Sequence, residues 1–196
     1  MDNLFPEHIS KEDIRKLPLL CFENAIEVVD THKKCQKALQ ELKACDLIGF
    51  DTETKPTFNK GEYNPTALVQ LATEHCAYLF RIGILDYPKP LFDLFTDDSV
   101  VKLGISIADD LKDLRRLRPF IPRGFVDLNH VAKEIGTNHI GVRKLAAIFL
   151  DGRISKSQQV TNWENEILTE AQRRYAATDA WICLKIHAAM RSKGYL

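Results

Sequence analysis

Hydrophobic residues along the chain recur with two different periods. Short runs rich in branched and aromatic side chains, bounded by polar residues or glycine, predict β-strands. The predicted strands cover residues 26–29, 47–51, 67–73, 77–82 and 100–105. Segments in which apolar residues return every three or four positions predict helices. The predicted helices cover residues 31–44, 110–117 and 169–190, a segment near Leu91, and two short stretches within residues 127–149.

The order of these elements predicts one α/β domain. Strands with short connections come first and strands separated by helices follow, which is typical of a mixed sheet flanked by helices. The chain has no internal repeat, and its glycines and prolines are scattered rather than gathered into a linker. We therefore predict a single domain over residues 24–196, preceded by an N-terminal arm over residues 1–23. A sequence like a capping box at Ser10 predicts a short helix in the arm, which Pro18 ends.

Charge and hydrophobicity exclude several classes of protein. The 27 lysine and arginine residues balance the 27 aspartate and glutamate residues, so bulk charge attracts neither nucleic acid nor an anionic membrane. No apolar run exceeds six residues, the length of residues 17–22, which is far shorter than the roughly 18 to 20 residues that span a bilayer. The five cysteines form no C-x-x-C pair, which favours buried thiols over disulfides or a zinc site. With no signal-like N-terminus, we expect a cytoplasmic protein without a membrane partner.

Two acidic residues lie at the end of the predicted strand over residues 47–51. Side chains alternate along a strand, so Asp51 and Glu53 share one face, with about 7 Å between their positions. The two acidic side chains therefore point the same way. The alternative is a solvated strand end or a helix cap, because acidic residues are usually exposed.

A third acidic residue lies within an apolar helical stripe. Asp110, Leu114 and Leu117 are spaced by four and three residues, which places all three on one face of the predicted helix. The alternative is that Asp110 caps the helix N-terminus, where aspartate is favoured.

The fourth acidic residue lies in the middle of such a stripe. Tyr175, Asp179, Ile182 and Ile186 follow one another at intervals of four, three and four residues along the last helix. A lone ionised carboxylate there is costly to desolvate, so Asp179 needs a metal ion or a basic side chain from another element.

Together the four carboxylates form a set of hard oxygen donors. Such a set suits Mg²⁺ or Mn²⁺, and a divalent cation relieves the repulsion between crowded carboxylates. A cation held in this way also prepares a site for phosphate oxygens, which indicates phosphoryl chemistry. The six histidines show no paired spacing of a histidine metal site.

Three segments are similar to the three motifs of the DEDD exonuclease superfamily. They are LIGFDTETKP at residues 47–56, GISIADDL at residues 104–111 and YAATDA at residues 175–180. Tyr175, four residues before Asp179, resembles the tyrosine branch of the superfamily, which includes ribonuclease D and the exonuclease domain of the Werner syndrome protein. The resemblance extends over roughly residues 24–190.

The resemblance implies a ribonuclease H-like fold and a metal-dependent 3′-to-5′ exonuclease. Asp51, Glu53, Asp110 and Asp179 then hold two divalent ions, Mg²⁺ or Mn²⁺, and Tyr175 positions the attacking water. Nucleotides are removed singly from a free, single-stranded 3′ end of DNA or RNA, as nucleoside 5′-monophosphates. The sequence does not distinguish the two sugars.

Substrate contacts follow less directly from the sequence. Phe58, after the first motif, is placed to stack on the terminal base, although core packing is an equal alternative. Lys156, with Arg143 and Lys144, is a candidate for phosphate contacts beside a modest basic segment over residues 102–123, although such charges are often only solvated.

Two other functions remain open at this point. A nucleic-acid-binding or scaffolding protein without turnover uses the same fold, and a hydrolase of dinucleotides uses the same metal ligands. The chain ends soon after the last predicted helix, without the helical nucleic-acid-binding domain of ribonuclease D. We therefore expect substrate choice to rest on this domain or on a protein partner.

Overall fold

A six-stranded sheet organises the part of the chain that the computed structural model describes, which comprises Phe5, residues 9–57, Gly61 and residues 63–196. The strands are β1 (Ala25–Val29), β2 (Leu47–Thr54), β3 (Thr66–Ala72), β4 (Cys76–Phe80), β5 (Val101–Gly104) and β6 (Phe125–Asp127). Their order across the sheet is β1-β4-β3-β2-β5-β6. The β2-β3 and β3-β4 pairs are antiparallel, and the other three pairs are parallel. The sheet is therefore mixed, as predicted.

Helices cover both faces of this sheet. They are α1 (Lys11–Lys16), α2 (His32–Leu42), α3 (Lys89–Phe95), α4 (Ala108–Leu117), α5 (Leu128–Glu134), α6 (Val142–Leu150) and α7 (Glu170–Ser192). One core cluster joins β2, β3 and β4 to α2, α3 and α4. Further clusters join the sheet to α5, α6 and α7 on the other face. The predicted α/β class, a mixed sheet flanked by helices, is confirmed.

The sequence reasoning missed the edge strand β6. Its three residues, Phe125–Asp127, are too few to show an alternating pattern, and they lie directly before α5. Pairing with β5 defines this strand, and that partner lies more than twenty residues earlier in the chain.

The long helix α7 crosses the sheet in close contact with β2. Thr169 and Gln172 form a capping box at its start, in which each side chain bonds the backbone of the other residue. Gly49 of β2 permits the approach, since a Cβ atom there would lie 2.0 Å from the carbonyl oxygen of Ala180. Because Gly49 has no side chain, the backbones of β2 and α7 come into close contact two residues before Asp51.

The N-terminal segment packs against the α6–α7 side of the molecule. Ser10 caps α1 by accepting a hydrogen bond from the Asp13 amide, as predicted. The Leu20 amide donates to the Arg153 carbonyl over 2.7 Å, and the Phe22 amide donates to Thr178 Oγ1 of α7 over 3.0 Å. These bonds hold the arm on the domain, and the division at residue 23 stays a prediction.

None of the helices in the described part of the chain combines the length and the apolar composition needed to cross a membrane.

Candidate metal centre and active site

Three of the four predicted carboxylates meet at the end of β2. Asp51 and Glu53 lie on the face of β2 that α7 covers, and Asp179 of α7 is opposite them. One oxygen from each lies within 4.8 Å of the others. The shared face predicted from strand alternation is therefore observed, and so is the buried position of Asp179, which is 8% exposed.

Asp110 approaches the same centre from α4. It lies outside the group of three, but its charge contributes to raising the pKa of both Asp51 and Glu53. Thr52, on the opposite face of β2 from its two acidic neighbours, donates a hydrogen bond to the Asp110 carboxylate. The residue before α4 that serves as its N-cap is Ile107, so the alternative of Asp110 as the cap is wrong.

The electrostatics of the centre show an excess of negative charge. Burial, followed by repulsion from Asp179 and Asp110, raises the pKa of Glu53 to about 9. Burial also raises the pKa of Asp179 to about 7, against the opposing effects of the Tyr175 hydroxyl and Lys156. The pKa of Asp51 is raised well above its usual value by burial and then by its acidic neighbours.

This excess fits a divalent cation. No described lysine or arginine forms a salt bridge with Asp179, and Lys156 only partly offsets its charge. Oxygen donors that converge without enough positive charge are the ligand set that Mg²⁺ and Mn²⁺ prefer. These carboxylates are therefore candidate ligands of a divalent cation.

Tyr175 lies one helical turn before Asp179, and the interaction of its hydroxyl with that carboxylate opposes the rise in the pKa of Asp179. Burial and the charges of Asp179 and Glu53 raise the pKa of the phenol, so the hydroxyl stays protonated at neutral pH. The Trp163 ring, 5.9 Å away between centroids, packs beside the Tyr175 ring and restricts its orientation. Such a fixed, neutral hydroxyl orients a water molecule rather than removing its proton.

A cavity of about 190 Å³ joins these groups. Asp51, Glu53, Tyr175, Asp179 and Lys156 all line it. The structure thus brings Lys156 to the carboxylates, as the sequence hypothesis required. Phe58 lies outside the described residues.

The interpretation of residues 102–123 as a basic surface segment is wrong for one residue, Lys102. Lys102 is fully buried, and its ammonium donates hydrogen bonds to the carbonyls of Leu94 and Asp97. Burial lowers its pKa to about 8. Lys102 is therefore part of the interior and contributes nothing to a surface for phosphate.

Two residues near the centre escaped the sequence reasoning. Thr52, which lies between Asp51 and Glu53 in sequence, donates a hydrogen bond to the Asp110 carboxylate. Gln70 pairs with Asp51 across β2 and β3, is fully buried, and has no hydrogen-bond partner for its amide among the described atoms. A glutamine inside the apolar run of β3 is the signal that would have singled it out.

The raised pKa of Glu53 predicts how stability depends on pH in the metal-free protein. The folded state binds this proton more tightly than the unfolded state, whose carboxyl has a pKa of 4.5. Stability from this group is therefore complete below about pH 4.5 and is lost as the pH rises toward 9. Between about pH 5 and pH 8, the unfolding free energy should fall by at least about 1 kcal/mol more in the wild type than in Glu53→Gln.

Urea denaturation in the presence of chelator measures this difference. The wild type and Glu53→Gln are compared at each pH, so that titrating groups outside the acidic centre cancel. Parallel pH profiles of the two proteins would contradict the assignment of a strained, protonated Glu53.

The mixed sheet and the acidic centre together identify the class of the protein as a nuclease, as the sequence motifs indicate. A model of the family described as 3′-5′ exonuclease matches residues 26–194. The chain therefore belongs to the 3′-5′ exonuclease family. The predicted membership in an exonuclease superfamily is confirmed.

Curated relatives carry the same domain within longer chains. The bifunctional 3′-5′ exonuclease/ATP-dependent helicase WRN of Mus musculus is 31% identical over 188 residues, covering 91% of this chain and 13% of that protein. The exonuclease mut-7 homolog of Aedes aegypti is 28% identical over 197 residues, covering 87% of this chain and 27% of that protein. This chain spans less than a third of the length of either relative.

Solved structures share the fold. The EXO domain of Aedes aegypti Nibbler has a TM-score of 0.80 at 25% identity, covering 90% of this chain and 91% of that one. Escherichia coli RNase D has a TM-score of 0.75 at 23% identity, covering 89% of this chain and 47% of that one. Trypanosoma brucei RNase D in complex with RNA U12 has a TM-score of 0.73 at 21% identity, covering 91% of this chain and 64% of that one. The predicted similarity to the ribonuclease D fold is confirmed.

Proposed function

We propose that this chain is a metal-dependent 3′-to-5′ exonuclease that hydrolyses the terminal phosphodiester bond of DNA or RNA and releases nucleoside 5′-monophosphates. The observation that carries the proposal is the convergence of Asp51, Glu53 and Asp179 within 4.8 Å, in a cavity that also holds Tyr175. No described lysine or arginine forms a salt bridge with these three carboxylates. Membership in the 3′-5′ exonuclease family supports it. A cytoplasmic location rests on the sequence alone and stays a prediction.

The carboxylates are proposed as the ligands of two divalent ions, Mg²⁺ or Mn²⁺. Asp51, Glu53 and Asp179 supply the group of three, and Asp110 supplies the fourth carboxylate from α4. When bound, such ions lower the pKa of water and stabilise the charge that develops on the phosphate and the leaving oxygen. The hydrogen bond from Thr52 keeps the Asp110 carboxylate in place.

Tyr175 and Lys156 are proposed to position the reacting groups. The Tyr175 hydroxyl shares the cavity with Asp179, where its oxygen and its proton are both placed to hydrogen-bond the attacking water. Lys156 reaches the cavity from the loop before α7 and places an ammonium group near the scissile phosphate. The raised pKa of the phenol supports an orienting role over a role as general base.

The proposed substrate is a free, single-stranded 3′ end, as the resemblance of the sequence motifs implies. Trypanosoma brucei RNase D, which shares the fold, is solved in complex with RNA U12, so RNA is tested beside DNA. Phe58 remains a proposed stacking residue.

The direction of attack and the product test this function. A strand with a free 3′ hydroxyl and the same strand with a blocked 3′ end are incubated with protein and Mg²⁺ or Mn²⁺, and the products are separated by chromatography. We expect nucleoside 5′-monophosphates from the free end and no reaction at the blocked end. Nucleoside 3′-monophosphates, or equal cleavage of both strands, would overturn the proposal.

Tyr175→Phe tests the positioning role. The change removes only the hydroxyl, so we expect kcat to fall about 10- to 100-fold while the metal requirement persists. The matched control is Tyr78→Phe. The Tyr78 hydroxyl donates a hydrogen bond to the Glu41 carboxylate, and Tyr78 lies on the opposite face of the sheet from the acidic centre. A loss equal to that of a metal-ligand variant would show that Tyr175 has been assigned the wrong role.

A further inference from the structure

A second, larger cavity opens beside the carboxylate cavity. Its volume is about 360 Å³, and it shares Ile105, Val142 and Lys156 with the carboxylate cavity. Its charged lining residues are Lys11, Arg143, Lys144 and Lys156. No carboxylate lines it within the described part of the chain, and we call it the basic cleft.

The cations of the basic cleft form no ion pair among the described residues, although Lys156 also interacts with Asp179 across the boundary with the carboxylate cavity. The Nε atom of Arg143 is buried and lacks a hydrogen-bond partner among the described atoms. A buried donor without a partner is costly, so this group favours a ligand that accepts hydrogen bonds.

The backbone adds to this preference. Gly141, with φ of 86°, precedes the nine-residue helix α6, and no side chain caps the N-terminus of α6. Gly141, Val142, Arg143 and Lys144 all line the basic cleft, so the positive end of the helix dipole faces it. Cationic side chains and a free helix N-terminus together favour a phosphate group.

The N-terminal arm builds the other wall. Ile9, Lys11 and Ile14 line the basic cleft from α1 and the residue before its cap. Ser10 caps α1, Ile14 is 3% exposed, and the bonds between residues 18–20 and Arg153 anchor the segment. This wall lies before residue 26, where the match to the exonuclease family begins.

We propose that the basic cleft binds the phosphate backbone of the strand on the 5′ side of the scissile bond, and that the N-terminal arm is thereby part of the substrate-binding site. This inference rests on the proposed exonuclease function. A terminal nucleotide with a free 3′ hydroxyl carries only the scissile phosphate. Any second phosphate beside the carboxylate cavity therefore belongs to the upstream strand. The isoleucines of the basic cleft provide apolar contact for its sugars and bases.

The test compares substrates of two lengths. The double variant Lys11→Ala, Lys144→Ala is assayed on a 12-nucleotide strand and on a dinucleoside monophosphate that contains only the scissile phosphate. We expect the ratio of kcat/KM for the long strand to that for the short one to fall about 10-fold. The slope of log kcat/KM against log salt for the long strand should also become shallower, by about 0.7 for each phosphate that the variant no longer neutralises.

Lys33→Ala is the matched control, since Lys33 is an exposed lysine on α2, on the opposite face of the sheet. An unchanged ratio in the double variant, or an equal fall in the control, would overturn the proposal while leaving the exonuclease function standing. Fluorescence anisotropy distinguishes strand binding in the basic cleft from exonuclease activity, because it measures binding of the labelled 12-nucleotide strand without turnover. Equal affinity of the wild type and the double variant would refute the basic cleft as a strand site, whether or not hydrolysis occurs.

Discussion

Asp179→Asn should abolish hydrolysis while the protein stays folded. Asparagine keeps the size of the side chain but removes a charged oxygen from the group formed with Asp51 and Glu53. Metal ions contribute several kcal/mol of transition-state stabilisation, so we expect kcat/KM to fall at least about 10³-fold. Steady-state kinetics on a labelled single strand in Mg²⁺ or Mn²⁺ measures the loss.

The stability of the same variant provides a second readout. Asp179 is destabilising when ionised without a cation, as its raised pKa of about 7 indicates. In chelator above about pH 7, Asp179→Asn should therefore be at least as stable as the wild type. Asp109→Asn is the control, because Asp109 is an exposed neighbour of Asp110 and should retain activity. A folded Asp179→Asn protein with wild-type activity would refute the proposed role.

Gly49→Ala should cause the largest loss of stability. The added Cβ would lie 2.0 Å from the Ala180 carbonyl oxygen and 2.7 Å from its carbon, and both atoms are backbone. Relief requires α7 to move away from the sheet, which opens the core clusters that pack α7 against β3 and β4. We expect a loss of about 3 kcal/mol or more in urea denaturation, at or above the usual range for overpacking.

The same substitution should also reduce activity, because Ala180 adjoins Asp179 and the shift separates the two sides of the acidic centre. Gly83→Ala is the matched control, since a Cβ at Gly83 meets no atom within 4 Å. Its stability should change by no more than about 0.5 kcal/mol. Equal stabilities of the two variants would show that β2 and α7 do not depend on this contact.

Local periodicity was sufficient to predict most of the sheet and the arrangement of the acidic residues. The alternation of β2 placed Asp51 and Glu53 on one face, and the helical spacing of α7 placed Asp179 in a buried stripe. Both inferences depend only on residues that are neighbours in sequence, where strand and helix geometry fix the direction of each side chain. The catalytic roles of these residues stay a prediction.

Features that depend on distant partners were not predictable. β6 exists through pairing with β5, whose residues lie more than twenty positions earlier in the chain. The basic cleft combines Lys11 from the arm with Arg143 and Lys144 from α6, which are more than 130 positions apart. No periodic pattern within a short window records such contacts, so only the folded structure reveals them.

The most direct test of the proposed exonuclease activity is a digestion of 5′-labelled single strands of DNA and RNA with one common sequence. Each strand is incubated with the wild-type protein in Mg²⁺, in Mn²⁺ and in chelator, and the products are resolved by length. We predict a ladder that shortens by one nucleotide at a time, appears only with metal, and is stronger for the preferred sugar. Intact strands in every lane from folded protein would contradict the exonuclease, and hydrolysis confined to dinucleotides would point instead to a dinucleotide hydrolase.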